Sequence, residues 1–287
     1  MRVAILGLGL IGGSIAQALH GKPGWDVAAW TPAGRGPAAA VRAGTIAHAP
    51  SSPEAAVEGA QLVVLAAPPA ACLDLLDELA GPWRTTLAPA AVITDVARTK
   101  TALGLRARAR GLRFVGGHPM AGRETTGYEA ASGDLFVGRP WVVIPAGDLE
   151  ATSLVIELVR ACGAHPVEMS AAAHDDAVAA ISHLPLIVAA SLVESVAGGP
   201  AGPRADWAVA EALAASGWRD TTRLARGDVV MGGGIALTNS LPIAARIRAL
   251  VQILEDWLTV LEAPGGPDPE LVGERLRNAR DRLLAMS

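Results

Sequence analysis

The sequence predicts an α/β fold, in which an N-terminal doubly wound and mostly parallel sheet is followed by an all-helical C-terminal domain. Up to about residue 168, short β-branched runs alternate with longer Ala- and Leu-rich segments of helical period, the pattern of parallel strands joined by crossover helices. Beyond about residue 170 the strand signals stop and the helical period continues. We therefore predict a first domain over residues 1–168 and a second over residues 169–287.

The first domain alternates predicted strands and helices. The strands cover residues 2–6, 26–30, 61–66, 91–95, 113–116, 141–145 and 166–169. The helices between them cover residues 11–20, 70–79, 100–110 and 149–162. In the second domain the helical period covers residues 170–196, 206–215, 235–262 and 269–286. Runs rich in Gly and Pro at 198–203 and 264–267 predict turns.

The composition indicates a globular protein of a reducing compartment. Half of the 287 residues are apolar, which is enough for a sizeable core. The net charge of −4 gives no basic field for nucleic acid, and the short apolar N-terminal run lacks a signal-peptide pattern. Cys72 and Cys162 fall in segments expected to be buried helices, which favours inert core thiols over a disulfide. We therefore predict a cytoplasmic protein with no nucleic acid or membrane partner.

A glycine-rich turn follows the first predicted strand and opens the first predicted helix. Its Gly7, Gly9 and Gly12 form the G-x-G-x-x-G pattern of a Rossmann-type dinucleotide site. The first glycine permits the tight turn, the second lets the pyrophosphate approach the backbone, and the third lets helix and strand pack closely. Unpaired N–H groups near Leu10 and Ile11 would then face the anion. This context predicts NAD or NADP as the cofactor.

The end of the second strand bears on the choice between NAD and NADP. An NAD site commonly has an acidic residue there to hold the ribose 2′-hydroxyl, but this chain has Thr31 at that position. Arg35 follows in the predicted loop and is compatible with a 2′-phosphate, which slightly favours NADP. The alternative is a solvated Arg35 and an enzyme that accepts either cofactor. Pro68, after the third strand, completes the predicted cofactor-binding residues.

A histidine flanked by glycines and proline follows the fifth predicted strand. His118 is thereby expected at the carboxyl edge of the sheet, where doubly wound folds bind ligands. A lone histidine in a loop is more often structural. Residues 117–127, however, read Gly-His-Pro-Met-Ala-Gly-Arg-Glu-Thr-Thr-Gly. This run resembles the His-Pro-Met-Ala-Gly-x-Glu-x-x-Gly signature of the prephenate/arogenate dehydrogenases.

The resemblance to this family extends over residues 2–239. It continues through residues 134–136, 141–145, 174–175, 182–185 and 217–223. It implies oxidative decarboxylation: hydride leaves C4 of a 4-hydroxycyclohexadiene for the nicotinamide, and the ring aromatises as CO2 departs. The leading expectation is a prephenate dehydrogenase that makes 4-hydroxyphenylpyruvate for tyrosine biosynthesis.

The resemblance also implies roles for particular side chains. His118 is the expected catalytic base at the 4-hydroxyl, because a neutral imidazole titrates near neutrality. Arg219 is the expected ligand of a substrate carboxylate, with Arg223 as a helper. A purely structural Arg219, bridging helices through Asp220, is the alternative.

Two further histidines lie on one predicted helical segment. His183 is a candidate substrate-binding residue, with a buried structural role weighed equally. His174 lies nine residues earlier, nearly opposite on a straight helix, so we expect no shared metal and no metal site. Capping and solubility are the expected roles of His174 with its acidic neighbours.

The sequence departs from the family at the substrate end. Arg98 stands where the family has a Ser, and Thr99 lies one place away; both are kept as candidate substrate-binding residues. Leu186 replaces a His, and the glycine run 232–234 replaces an expected Trp and Asp, which predicts local flexibility. These changes weaken the choice of substrate more than the choice of reaction.

Several alternatives therefore stay open. An arogenate dehydrogenase and a 4-amino-4-deoxyprephenate dehydrogenase use related substrates. A 3-hydroxyacid dehydrogenase would need a catalytic lysine, for which Lys100 is the candidate. A nucleotide-binding homologue without turnover is a further possibility. Because helical domains that follow a nucleotide-binding domain often pair, a homodimer through the helical domain is the working hypothesis.

Overall fold

A seven-stranded sheet organises the first part of the chain. The computed structural model describes residues 1–123 and 125–286; Glu124 of the His118 motif and Ser287 lie outside the described residues. The strands are β1 Arg2–Leu6, β2 Asp26–Trp30, β3 Leu62–Leu65, β4 Val92–Asp95, β5 Phe114–Pro119, β6 Pro140–Ile144 and β7 His165–Glu168. Their order is β2-β1-β3-β4-β5-β6-β7. Strands β1 to β5 are parallel, β6 pairs antiparallel with β5, and β7 pairs parallel with β6.

Both faces of this sheet are covered. Along β1, Val3 and Ile5 belong to one buried apolar cluster, whereas Ala4 and Leu6 belong to another. Side chains of a strand alternate between its two faces, so the two clusters are the cores on opposite sides of one sheet. The predicted doubly wound α/β fold, followed by helices, is thereby confirmed.

The helices follow the strands in the expected alternation and then continue alone. They are α1 Leu10–Leu19, α2 Arg35–Arg42, α3 Pro53–Val57, α4 Pro69–Ala80, α5 Thr101–Ala109, α6 Leu149–Ala161, α7 Ala171–Val178, α8 Leu184–Ala197, α9 Trp207–Ala212, α10 Ser216–Thr222, α11 Val229–Thr238, α12 Ser240–Leu261 and α13 Pro269–Leu284. A π-helical turn, Ala179–His183, joins α7 to α8, and a 3-10 turn, Arg223–Arg226, follows α10.

Several local features differ from the prediction. Helices α2 and α3 were not expected, because their segments are short and rich in Gly, Pro and Ser. The helix expected over 235–262 is broken at Asn239, three residues before Pro242, whose missing N–H and ring disfavour a continuous helix. Residues 198–203 form a short hairpin, in which Gly198–Gly199 pairs antiparallel with Gly202–Pro203, rather than a plain turn. Strand β5 runs on to Pro119, so His118 lies in a strand rather than in the loop after it.

The helical run through α7, the π-helical turn and α8 is unusually apolar. Over its 27 residues, Ala171–Ala197, it is long and apolar enough to cross a membrane by length and composition. It also carries His174, Asp175 and His183, whose side chains are buried in the hydrogen-bond network described below. These polar contacts hold the N-terminal half of the run against the rest of the unit Met1–Ser240, although only 22% of its apolar window is buried.

The chain forms two compact units, Met1–Ser240 and Leu241–Ser287. The first contains the sheet and all the residues of the candidate site. The second contains nearly all of α12 and α13, where the guanidinium of Arg275 lies 4.3 Å from the centre of the Trp257 ring. The predicted boundary between residues 168 and 169 stays a prediction.

Candidate active site

The turn after β1 has a conformation that requires glycine. Gly7 has a φ of 109°, and a Cβ there would lie 2.3 Å from the carbonyl oxygen of Ala66. A Cβ on Gly12 would lie 2.0 Å from the carbonyl oxygen of Gly7. Strand β1, helix α1 and the end of β3 therefore approach one another as closely as the backbone allows.

The N-terminus of α1 has the features of an anion cradle. Gly9 is its N-cap and no side chain caps the helix, so the N–H groups of Leu10 and Ile11 remain for a ligand. No atom lies within 4 Å of the position that a Cβ on Gly9 would take. This open space beside uncapped N–H groups fits a dinucleotide pyrophosphate. Ser14, by contrast, accepts a hydrogen bond from the Ser132 N–H at 3.0 Å.

A cavity lies where the ribose next to the adenine of a dinucleotide is expected. Its volume is about 340 Å³, and it is lined by Leu8, Thr31, Ala33, Arg35, Gly36, Gly127, Tyr128 and Glu129. Thr31 and Arg35 are thus brought together, although Arg35 is the first residue of α2 and not a loop residue as expected. Pro68 is the N-cap of α4, just beyond the carboxyl end of β3.

Replacing Gly9 by Ala tests the cradle. Because a Cβ meets no protein atom there, we expect an unchanged Tm, but it would occupy the space of the pyrophosphate. The Kd for NAD(P), measured by fluorescence titration, should rise about tenfold or more. Gly104→Ala in α5, where a Cβ also meets nothing within 4 Å, is the matched control and should leave this Kd unchanged. Equal affinity of G9A and wild type would remove Gly9 from the cofactor site.

His118 is held in β5 by the antiparallel pairing with β6. Its register partner is Val142. The preceding Gly117 donates its N–H to Asp95 at 3.1 Å, and a Cβ there would lie 2.6 Å from the Asp95 carbonyl oxygen. The backbone before His118 is therefore fixed on both sides, by β4 and by β6.

A chain of buried polar side chains leads away from His118. Its Nδ1 lies 2.8 Å from Nε2 of His174, and Nδ1 of His174 lies 2.9 Å from Oδ1 of Asp175. The Asp175 carboxylate also accepts the N–H groups of Lys100 and Thr101, each at 2.8 Å, at the start of α5. Capping of α7 falls to Ser170, whose hydroxyl accepts the Ala173 N–H.

The expected role of His174 in capping and solubility was therefore wrong. Its side chain is only 1% exposed and contacts His118. The His-Asp pair at 174–175 resembled the family in the sequence, but that resemblance gave no indication that His174 contacts His118. The argument from a straight helix also failed, because the π-helical turn Ala179–His183 interrupts the helix between His174 and His183.

His183 is buried on the other side of this network. The amide nitrogen of Asn239 donates to the Asp175 carbonyl oxygen at 2.9 Å and lies 3.0 Å from Nδ1 of His183. Among the described residues, Nε2 of His183 is buried without a hydrogen-bond partner. A polar ligand atom could satisfy this nitrogen, which supports the site role over the structural one.

The surroundings keep both histidines neutral. Burial lowers the pKa of His118 well below its ordinary value, and the charges of Lys100 and Arg98 lower it further. Burial, followed by the charge of Arg98, lowers the pKa of His183 to about 4. Because both imidazoles are uncharged, neither supplies a positive charge to bind an anion, and His118 can accept a proton at its free ring nitrogen.

The neutral His183 predicts a pH-dependent stability. Its pKa falls from 6.5 when exposed to about 4 in the fold, so the unfolded chain binds a proton that the folded chain does not. The stability that the uncharged His183 provides to the fold is therefore fully present above pH 6.5 and is lost as the pH falls toward 4. Between pH 7.0 and pH 4.5, wild type should lose about 2–3 kcal/mol more of its free energy of unfolding than His183→Gln, measured by urea denaturation at both pH values. An exposed control, His165→Gln, should behave as wild type; an equal loss in H183Q would contradict the assignment.

The remaining candidate substrate residues are placed differently. Arg98 is exposed, and its charge reaches both His118 and His183. Thr99 is buried, with its hydroxyl 2.8 Å from that of Thr238. Arg219, in α10, and Arg223, in the following 3-10 turn, are both exposed.

The glycine run does not loosen the chain as expected. Residues 232–234 are helical within α11. A Cβ on Gly234 would lie 3.2 Å from Cδ of Pro69 and 3.3 Å from the Ala70 nitrogen. This glycine therefore lets α11 pack closely against the start of α4, next to Pro68.

Lys100 is committed to an internal ion pair. Its buried ammonium donates to the Asp95 carboxylate and, at 2.6 Å, to the Gly117 carbonyl oxygen. This arrangement does not fit the free catalytic lysine of a 3-hydroxyacid dehydrogenase. Within residues 1–123 and 125–286, no group of three or more His, Cys, Asp or Glu is placed to hold a metal ion.

Comparisons with known proteins agree with this geometry. The family model described as the nucleotide-binding domain of prephenate dehydrogenase matches residues 34–168, and the one described as its dimerization domain matches residues 170–272. A prephenate dehydrogenase of Bacillus subtilis (strain 168) is 32% identical over 285 residues, which cover 97% of this chain and 74% of that protein.

Solved structures extend the similarity to the whole fold. The complex of Aquifex aeolicus prephenate dehydrogenase with hydroxyphenyl propionate and NAD+ superposes with a TM-score of 0.84 at 28% identity, covering 100% of this chain and 98% of that one. Synechocystis arogenate dehydrogenase gives a TM-score of 0.78 at 30% identity, covering 99% and 100%. The glycine turn, the half-buried His118 and these matches over nearly the full length lead to one conclusion: the chain belongs to the prephenate dehydrogenase family of nucleotide-dependent oxidoreductases.

Proposed function

We propose that this chain oxidises prephenate to 4-hydroxyphenylpyruvate and CO2, with NAD(P) as the hydride acceptor, in tyrosine biosynthesis. The observation that carries the proposal is the neutral imidazole of His118, fixed in β5 at the carboxyl edge of a sheet whose first turn fits a dinucleotide. Family membership supports the same reaction. His118 is the catalytic residue of this proposal.

The chemistry requires a proton acceptor at the substrate hydroxyl. As hydride leaves C4, the C4–O bond gains double-bond character, and His118 takes the hydroxyl proton. The nicotinamide, when bound, accepts that hydride. Cleavage of the C1–carboxylate bond then releases CO2 and returns its electron pair to the ring, which becomes aromatic. His118 gives the proton back to the phenolic oxygen, so the imidazole ends neutral.

Binding of the two substrate carboxylates falls to arginines. Arg219 is our candidate ligand for one carboxylate, with Arg223 as a helper, because a planar guanidinium matches a carboxylate in a bidentate pair. Arg98, close enough to influence His118 and His183, adds positive charge at the ring end. His183 offers its unsatisfied nitrogen to a substrate oxygen, whereas Thr99 would act only through Thr238.

The charge of Arg98 also discriminates among related substrates. An ammonium at C4, as in 4-amino-4-deoxyprephenate, would be repelled by a cation beside His118. A hydroxyl at C4 carries no such penalty. Arogenate keeps the 4-hydroxyl and differs at the side chain, so it is the second candidate, supported by the similarity to the Synechocystis enzyme.

One assay separates these activities. The purified protein is incubated with prephenate, arogenate or 4-amino-4-deoxyprephenate and with NAD+ or NADP+, and reduced nicotinamide and CO2 are followed together. We expect the highest kcat/KM with prephenate and equal amounts of both products. Inactivity with every substrate, despite cofactor binding, would indicate a nucleotide-binding homologue without turnover and overturn the proposal.

We further propose NADP as the slightly preferred cofactor, because Arg35 and Thr31 line the same cavity. Arg35→Ala should then lower kcat/KM for NADP+ about tenfold, the size of one charge-assisted contact, with little change for NAD+. Arg42→Ala, at the exposed far end of α2, is the control and should change neither value. A clear preference of wild type for NAD+ would reverse the assignment.

A homodimer is also proposed. The matching dimerization-domain model supports it, as do exposed apolar side chains on helices after residue 180. In the first unit these include Ile181 and Leu237, and in the second Leu241, Leu254 and Leu258. Light scattering coupled to gel filtration should give twice the chain mass of 29.2 kDa. The cytoplasmic location stays a prediction.

A further inference from the structure

We infer that Asp175 and His174 act as positioning residues that set the tautomer of His118, so that its Nε2 presents a lone pair to the substrate hydroxyl. The inference rests on the proposed function for its catalytic meaning. For the tautomer itself it rests on the hydrogen-bond geometry of the network and on an ionised Asp175. Nothing in the motif around His118 specifies which of its two ring nitrogens carries the proton.

The first step is that Asp175 acts only as a hydrogen-bond acceptor. An ionised carboxylate only accepts hydrogen bonds, and this one accepts the N–H groups of Lys100 and Thr101 at 2.8 Å. Burial raises the pKa of Asp175, but hydrogen bonds from His174 and Thr101 bring it below its ordinary value. The atom of His174 that faces this carboxylate, Nδ1, must therefore carry a proton.

The second step is that the donor and acceptor roles of His174 determine which nitrogen of His118 carries the proton. A neutral His174 with its proton on Nδ1 has a lone pair on Nε2, which accepts from the His118 Nδ1–H at 2.8 Å. The two rings meet edge-on, with centres 5.1 Å apart and planes inclined at 75°, so nitrogen faces nitrogen. His118 is then left with its lone pair on Nε2.

The network around these residues is rigid enough to hold one tautomer. His174 is 1% and Asp175 2% exposed, so water does not compete for their hydrogen bonds. Asn239 donates to the Asp175 carbonyl oxygen and fixes the backbone at this point. When His118 accepts the substrate proton, the imidazolium keeps its Nδ1–H on His174, and no group has to turn.

A matched pair of variants tests the relay. His174→Leu removes the acceptor at Nε2, whereas His174→Gln can offer its amide oxygen to the His118 Nδ1–H. We expect H174L to lower kcat about 10²-fold or more, by analogy with the loss of an orienting group in other histidine bases, and H174Q to retain activity within about tenfold. KM and the Kd for NAD(P) should change little in either variant.

The tautomer is read directly, in the absence of substrate, by long-range ¹H–¹⁵N NMR of histidine-labelled protein. The His118 signals are identified as those lost in His118→Gln. Wild type and H174Q should carry the proton on Nδ1, and H174L should shift toward Nε2–H, the form that free histidine prefers. If H174L does not fold, Asp175→Asn is used, because an amide can donate to His174 Nδ1 and so reverse the polarity of the chain.

The outcomes are distinct from those of the substrate assay. A proton on Nε2 of His118 in wild type, or an unchanged tautomer and kcat in the folded variant, would overturn the inference. Inactivity of wild type toward every substrate, with the His118 proton still on Nδ1 and moved by H174L, would sink the proposed function while leaving the relay in place.

Discussion

Replacing His118 with Asn or Ala should lower kcat by about 10²–10⁴, the usual contribution of a positioned general base. Without the imidazole, the 4-hydroxyl proton has no acceptor as hydride leaves C4. The side chain is not part of the glycine turn that binds the dinucleotide, so the Kd for NAD(P) should stay the same. Steady-state kinetics at saturating cofactor, with a fluorescence titration of cofactor binding, measure both quantities.

His165→Asn is the matched control for His118→Asn. His165 lies in β7 with an exposed side chain, and the hydrogen bonds described above for the network around His118 do not involve it. Its substitution should leave kcat within error of wild type. Near-normal turnover of H118N or H118A would remove His118 from the role of base, whatever the effect on KM.

Replacing Lys100 with Met should lower the free energy of unfolding by about 3–5 kcal/mol, the range for breaking a buried ion pair at one end. The side chains of Lys100 and Asp95 are both 0% exposed. Without the ammonium, the Asp95 carboxylate keeps only the N–H groups of Ala97 and Gly117. The carbonyl oxygen of Gly117, next to His118, also loses its donor. Urea denaturation followed by circular dichroism measures the change.

A double-mutant cycle separates the pair from the rest of the core. Asp95→Asn with Lys100→Met removes both charges, so the double variant should be more stable than K100M alone. Arg106→Met, which breaks a half-exposed ion pair with Asp77, is the surface control and should cause a much smaller loss. A K100M variant as stable as R106M would show that the buried pair contributes little.

The parts of the site that sequence reasoning could predict are those whose signals are local. The turn at Gly7, Gly9 and Gly12 is readable because the geometry of a strand-to-helix turn is fixed within six residues. His118 is readable because its neighbours form a contiguous motif. Strands β1 to β7 are readable from short apolar runs, each within a few residues of its observed ends.

The missed parts depend on contacts between distant segments. His174 lies 56 residues from His118 in sequence, and no local pattern says that their ring nitrogens meet. The π-helical turn that ends at His183 and the helix break at Asn239 place these two side chains within hydrogen-bond distance, yet neither irregularity is visible in a helical sequence pattern. Arg98 shows the same limit. The sequence shows that it replaces a Ser, but not that its charge lowers the pKa of both His118 and His183.

The carboxylate of Asp175 has a consequence for how the protein can open. It joins the middle of α7 to the first N–H groups of α5, next to His174 and thus close to His118. We expect these hydrogen bonds to persist when the site opens to admit substrate. Moving α7 away from α5 would leave the buried Asp175 carboxylate without its N–H donors. The amide proton of Thr101 should therefore exchange with deuterium only on global unfolding, while segments beyond residue 198 exchange sooner.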